Sequence, residues 1–255
     1  MTYKTIEYRK KEHIGVIKFK DKIDRTGDLF CVKDEVHEVC SLISGEADLR
    51  LIVLMGVDAF SNLLRSSPDS LEPQDTEVMT SPSLAESVAN IEKPVIAGIN
   101  GDAIDQCLEL ILACDVRIAA EKSRFGLTQL EKGTIPMNGG TQRLPRLVGK
   151  GKALELVLAG DTIDAQEAHR IGLVNRVVPE NVLEKTVMEL AKDIASKSPI
   201  ALRYAKEAMN AGLDLTLEQG LRLEADLYML LHTTSDRTEG IKAFQEKRKP
   251  QFTGD

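Results

Sequence analysis

Glu109 is the residue whose type and surroundings point most directly to chemistry. It sits in an apolar helical pattern, between Leu108 and the run Leu110, Ile111 and Leu112, where a solvent-bound carboxylate would be out of place. A carboxylate within reach of a carbon next to a carbonyl can take a proton or return one. Such a transfer builds negative charge on the carbonyl oxygen. Backbone N–H groups at a helix start stabilise that charge without reorganising. A strand, a turn and a helix with a carboxylate in its first turns supply both parts, and residues 96–113 have that form. Within it, Asp105 is suited to cap the helix, and Gln106 follows with a backbone N–H that no side chain removes. Two outcomes stay open at this turn. Either Asp105 recaps the helix and no anion-stabilising pocket remains, or the Gln106 N–H keeps that pocket beside a negative charge.

A second polar candidate follows Phe125-Gly126. Gln129 can hold water or a carbonyl through its amide but exchanges no proton at neutral pH, and Glu131 lies two residues further on. Gly133-Thr-Ile-Pro136 and Asn138-Gly-Gly-Thr141 read as tight turns and a helix start, in which Pro136, Gly139 and Gly140 shape backbone. Arg143 and Arg146 are expected to pair with carboxylates or to support subunit contacts. His13, His37, His169 and His232 are scattered, which suggests neither a metal site nor a Ser-His-Asp triad. No phosphate-binding loop or dinucleotide fingerprint appears.

These residues need elements to position them. The continuous apolar runs 51–55 and 95–99 predict strands covered on both faces, with further strands at 3–9, 14–19 and 115–120. Helical patterns at 32–44, 84–91 and 106–113 alternate with them, which argues for an α/β layered core. From Gly139 onward helices dominate, at 141–148, 152–159, 165–171, 182–196, 200–212, 217–231 and 236–247, interrupted by a short strand or extended link at 173–178. This C-terminal third reads as a helical layer without a sheet of its own. Residues 68–83, with three prolines, read as a long loop.

Bulk properties narrow the field. A chain of 255 residues buries a substantial core, and a formal net charge of −7 opposes broad binding to nucleic acid. Cys31, Cys40, Cys107 and Cys114 show no metal-ligand spacing and read as small hydrophobes in a reducing compartment. No apolar run reaches the length of a membrane span and no signal-peptide core follows Met1, so a cytoplasmic location is expected.

The blocks Lys93-Pro-Val-Ile-Ala-Gly-Ile-Asn-Gly101 and Gly133-Thr-Ile-Pro136 through Gly149, followed by the helix-rich segment 153–178, resemble the crotonase (enoyl-CoA hydratase/isomerase) family in order and spacing. The resemblance runs from the N-terminal strands to Phe252. It implies a crotonase-like (ClpP/crotonase) fold, with a layered ββα-repeat core over residues 1–195 and a helical oligomerisation or lid region over 196–255. It also implies an acyl-CoA thioester as substrate, with coenzyme A as part of the substrate rather than a separate cofactor and no metal. The activity implied is that of an enoyl-CoA hydratase-like lyase of fatty-acid metabolism, performing hydration, dehydration or a related proton transfer with room for isomerase or hydrolase chemistry, and working as a homo-trimer or hexamer.

By the same resemblance Glu109 matches the first catalytic glutamate and Gln129 the second, which is an amide here. The oxyanion-hole N–H groups match Gln106 and Leu64, with Leu63 as the neighbour of the latter, in a turn after Phe60 that lacks the family's small residues. The family's glycine-rich turn reads Ile104-Asp-Gln-Cys-Leu108 in this chain. Lys22, Arg25, Lys247 and Lys249 match regions that contact coenzyme A. The departures also admit a catalytically degenerate homologue that binds acyl-CoA, or assembles with a partner, without hydratase turnover.

Overall fold

Continuous apolar runs become the inner strands, since only a strand covered on both faces can bury every side chain. The computed structural model describes residues 3–20, 29–66 and 83–255. Strands β1 (Ile6–Lys11) and β2 (Ile14–Phe19) pair antiparallel. Strands β3 (Leu51–Met55), β4 (Val95–Ile99), β6 (Val116–Ala120) and β9 (Arg176–Val178) add in parallel, giving a six-stranded sheet in the order β1-β2-β3-β4-β6-β9. A second sheet joins β5 (Ala103–Ile104), β7 (Arg124–Gly126) and β8 (Thr162–Asp164), with β5 parallel and β8 antiparallel to β7. The helices are α1 (Leu29–Gly45), α2 (Val57–Ser66), α3 (Leu84–Ala89), α4 (Gln106–Leu112), α5 (Gly140–Val148), α6 (Lys150–Ala159), α7 (Ala165–Arg170), α8 (Leu183–Ala195), α9 (Pro199–Gly212), α10 (Leu217–Leu231) and α11 (Ser235–Gln245).

Alternation along the strands divides the apolar residues between two cores. Leu51, Val53, Ile96, Ile118 and Ala120 meet Leu183, Val187, Ala191 and Ala195, a stripe with a spacing of four along α8. Ile52, Leu54, Val95, Ala97 and Ile99 point the other way, into the larger core with α1, α3 and α4. Each large aliphatic side chain fully buried there contributes about 1.5–3 kcal/mol. Cys40, Cys107 and Cys114 are buried and free, and burial pushes the Cys40 and Cys114 thiols up to about 12.

One strand was not expected and one expectation is corrected. The short strand or link expected at 173–178 contains β9, which closes the edge of the large sheet, while the unexpected β8 completes the small one. The expected turn after Phe60 is instead helix α2. It is amphipathic, with Asp58 in its first turn, and it buries Val57, Phe60 and Ser61, with Phe60 stacked on Phe19 at 5.2 Å. The loop expected at 68–83 lies outside the described residues except for Ser83, which caps α3 by accepting from the Glu86 N–H.

Polar ties dock the last helices onto the sheet. Lys206 of α9 reaches Asp115 at 2.8 Å and donates to the Lys93 carbonyl, while Asp115 accepts the Val95 N–H at 2.7 Å. Arg50 donates to the carbonyls of Ala195 and Phe252. Gly56 makes the bend from β3 into α2 at φ 75°, where an added Cβ would stand 2.5 Å from the Phe19 carbonyl oxygen. Gly56→Ala therefore combines a disfavoured φ with a backbone clash, and we expect a loss of about 1–3 kcal/mol, read as a lower urea midpoint with an unchanged m-value.

Candidate active site

Helix α4 delivers the central carboxylate. Cys107 to Leu112 are all buried, so the short helix has no solvent face, and Glu109 is only 1% exposed. A buried carboxylate must find donors. Its Oε1 accepts the N–H groups of Asn138 at 2.7 Å and Gly140 at 2.9 Å, both at the entry to α5. The Gly-Gly pair noted in the sequence makes this approach possible, since a Cβ on Gly140 would lie 3.1 Å from Glu109 Oε1 and 2.8 Å from Pro136. Burial pushes the Glu109 carboxyl above its ordinary value. The Gly140 and Asn138 hydrogen bonds pull the other way without cancelling it, and the charge of Asp105 adds a smaller rise.

Gln129 opens a 3₁₀ turn (Gln129–Lys132) just after β7. Its Nε2 donates to Glu109 Oε2 at 3.5 Å, and its buried Oε1 has no partner among the described residues. The two side chains predicted to share the site thus meet. Glu131 does not join them; it is exposed and lies over Gly160.

The turn before α4 corrects the expected cap. Asp105 occupies the N-cap position but makes no capping bond through its side chain, and its backbone lies at φ 52°, ψ −119°. Its carboxylate instead accepts the Thr128 N–H at 2.6 Å, takes the Thr128 hydroxyl at 3.1 Å and faces Lys132 at 3.6 Å. The turn keeps a glycine-like backbone without glycine. Gln106 is the first residue of α4, so its N–H has no carbonyl within that helix to pair with.

The remaining predicted residues are dispersed. Leu64 lies inside α2, where a backbone N–H pairs with the carbonyl four residues back, so it offers no free N–H while that helix holds. Lys247 and Lys249 are exposed beyond the end of α11, Lys247 at φ 55°. Lys22 and Arg25 lie outside the described residues. Arg143 donates to the Asn138 carbonyl and so braces the loop that grips Glu109, whereas Arg146 reaches Asp214 at 3.2 Å. The Asn138 N–H and Thr128 were not picked out from sequence as functional; the helix-start reading of 138–141 was the one signal for the former. Among the described residues no group of three or more His, Cys, Asp or Glu is arranged to hold a metal ion, and no helix is long and apolar enough to cross a membrane.

A family model described as enoyl-CoA hydratase/isomerase matches residues 9–255. The chain is 36% identical over 255 residues to a probable mitochondrial enoyl-CoA hydratase of Dictyostelium discoideum, covering 95% of this chain and 88% of that protein. It is 39% identical over 225 residues to the mitochondrial enoyl-CoA hydratase of Pongo abelii, covering 86% and 76%. The crystal structure of an enoyl-CoA hydratase from Bacillus anthracis superposes with a TM-score of 0.89 at 37% identity, over 98% of this chain and all of that one.

The raised carboxyl of Glu109 has a consequence for stability. Folding favours its protonated form, so its contribution is greatest below the ordinary carboxylate value of 4.5 and is lost as pH rises through the raised value. Glu109→Gln removes that titration. We expect its stability relative to wild type to increase between about pH 4 and about pH 8, measured by urea midpoints at both ends.

Proposed function

The chain belongs to the enoyl-CoA hydratase/isomerase family, and from that premise we propose that it reversibly adds water across the conjugated double bond of an enoyl-CoA thioester with Glu109 as its single acid/base. The observation that carries this reading is the Glu109–Gln129 pair. One oxygen of Glu109 is pinned by backbone donors, while the other faces an amide whose own oxygen is free to accept. On this reading one water molecule donates one hydrogen to Glu109 Oε2 and the other to Gln129 Oε1.

The chemistry follows from these positions. Glu109 Oε2 takes a proton from the water as its oxygen bonds to the β-carbon. The double-bond electrons move onto the thioester oxygen, which the Gln106 N–H stabilises. Glu109 then returns the proton to the α-carbon, which restores the carbonyl, and the net change is one water added. Gln129 orients the water and exchanges no proton.

Around this centre, Lys22, Arg25, Lys247 and Lys249 are proposed to meet the phosphates of coenzyme A. We also assign residues 196–255 to self-association as a trimer or hexamer. The exposed Met209 on α9, Leu213 just after it, and Leu217, Leu221 and Met229 on α10 support this, since a solvated helix pair has no use for so many exposed large apolar side chains. Free cysteines support a reducing compartment such as the cytoplasm, and a place in fatty-acid metabolism follows from the substrate class.

A second reading, an acyl-CoA binder without turnover, draws on the Gln129 amide and on α2 standing where a donor turn was expected. Loss of enoyl-thioester absorbance with crotonyl-CoA separates the two. We expect turnover in the wild type, a fall of about 10²- to 10⁴-fold in Glu109→Ala, and a gain in Gln129→Glu. Tight binding of crotonyl-CoA without turnover would favour the second reading. Because Glu109 must start ionised, the acid limb of the kcat/KM profile should lie above the ordinary carboxylate range, as a pH series of initial rates will reveal. Light scattering of the purified chain should give a mass three or six times that of the monomer.

A further inference from the structure

Asp105 holds a backbone conformation that disfavours any side chain, yet every polar group it has is engaged. Its N–H donates to the Gly126 carbonyl at 2.9 Å, and its carbonyl accepts the Glu109 N–H at 3.0 Å. Glycine would keep both of those bonds. The side chain adds the rest: the Thr128 N–H at 2.6 Å, the Thr128 hydroxyl at 3.1 Å and the Lys132 ammonium at 3.6 Å. The residue therefore grips the first turn of α4, which carries Glu109, and the residue immediately before Gln129. A bond from a backbone N–H to an ionised oxygen is among the stronger hydrogen bonds. The same contacts draw the negative charge of Asp105 toward Thr128 and Lys132, and so offset its repulsion of charge developing at the Gln106 N–H.

We propose that Asp105 is a positioning residue that clamps the Gln129 turn onto the start of α4 and so sets the 3.5 Å approach of Gln129 to Glu109. The clamp rests on the hydration reading for its catalytic consequence but not for its existence. It acts through Gln129, whose side chain orients the water, and touches no reacting atom itself. Its loss should therefore lower turnover more than substrate affinity.

The test compares the wild-type chain with Asp105→Gly and Asp105→Asn, using crotonyl-CoA hydration and amide hydrogen exchange at Thr128. Glycine relieves the backbone and keeps the two main-chain bonds, so the variant should fold. Asparagine tolerates positive φ and still accepts the Thr128 N–H. We expect Asp105→Gly to lose about 10-fold in kcat with KM changed by less than about 2-fold, and Asp105→Asn to stay within about 3-fold of wild type. Thr128 should exchange faster in the glycine variant and at close to the wild-type rate in the asparagine variant. Unchanged or higher kcat in Asp105→Gly, unchanged exchange at Thr128, or an asparagine variant no better than glycine would each overturn the proposal. A wild-type chain that does not hydrate crotonyl-CoA would sink the functional reading instead. The exchange rates would then decide the clamp alone.

Discussion

Burying one carboxylate sets the terms for the rest of the site. Glu109 gives up its hydration inside a helix with no solvent face, a desolvation that must be offset by donors supplied from elsewhere in the fold. The donors are two backbone N–H groups at the entry to α5, brought from 29 and 31 residues away in sequence. Main-chain donors suit this role because they are fixed by the fold and carry no charge that would lock the carboxylate in its ionised form. The result is a group held in place yet raised in proton affinity, which is what an acid/base that works in both directions requires.

That arrangement rests on the sheet beneath it. Strand β4 is buried throughout, is paired on both sides and meets different helices on its two faces, so the chain leaving Ile99 toward α4 starts from the middle of the sheet. The small sheet then matters more than its size suggests. Pairing of Ala103 with Phe125 and Ile104 with Gly126 brings the start of α4 beside the start of the Gln129 turn, and Asp105 bonds across the same seam. Two polar side chains from separate segments meet because two very short strands align their backbones.

The departures at Asp105 and Gln129 act on different links of this chain of cause. An aspartate in a glycine-like conformation preserves the course of the backbone at a conformational cost and converts that cost into side-chain bonds. An amide at Gln129 makes a polar contact with Glu109 and exchanges no proton itself. The scaffold of the family is thus intact around Glu109, whose polar neighbour from the following turn is an amide.

Much of the fold was legible in the residues themselves. Strands Ile14–Phe19, Leu51–Met55 and Val95–Ile99 and helix Leu217–Leu231 have the bounds that their local apolar patterns predict, because burial on one or both faces writes a period into the sequence. Glu109 stood out for the same reason, as a charge where the pattern demanded none. Strands of two or three residues carry no period, so the small sheet stayed hidden, and α2 replaced an expected turn because its apolar face found Phe19. The use of Asp105 was equally out of reach. A side chain beside a helix start can cap that helix or bond across a turn, and the choice depends on Thr128, which lies 23 residues away along the chain and is brought near only by strand pairing. Sequence determined which elements form and where a carboxylate would be buried; tertiary structure alone decided which distant backbone groups that carboxylate would meet, because those contacts join segments whose local patterns say nothing about each other.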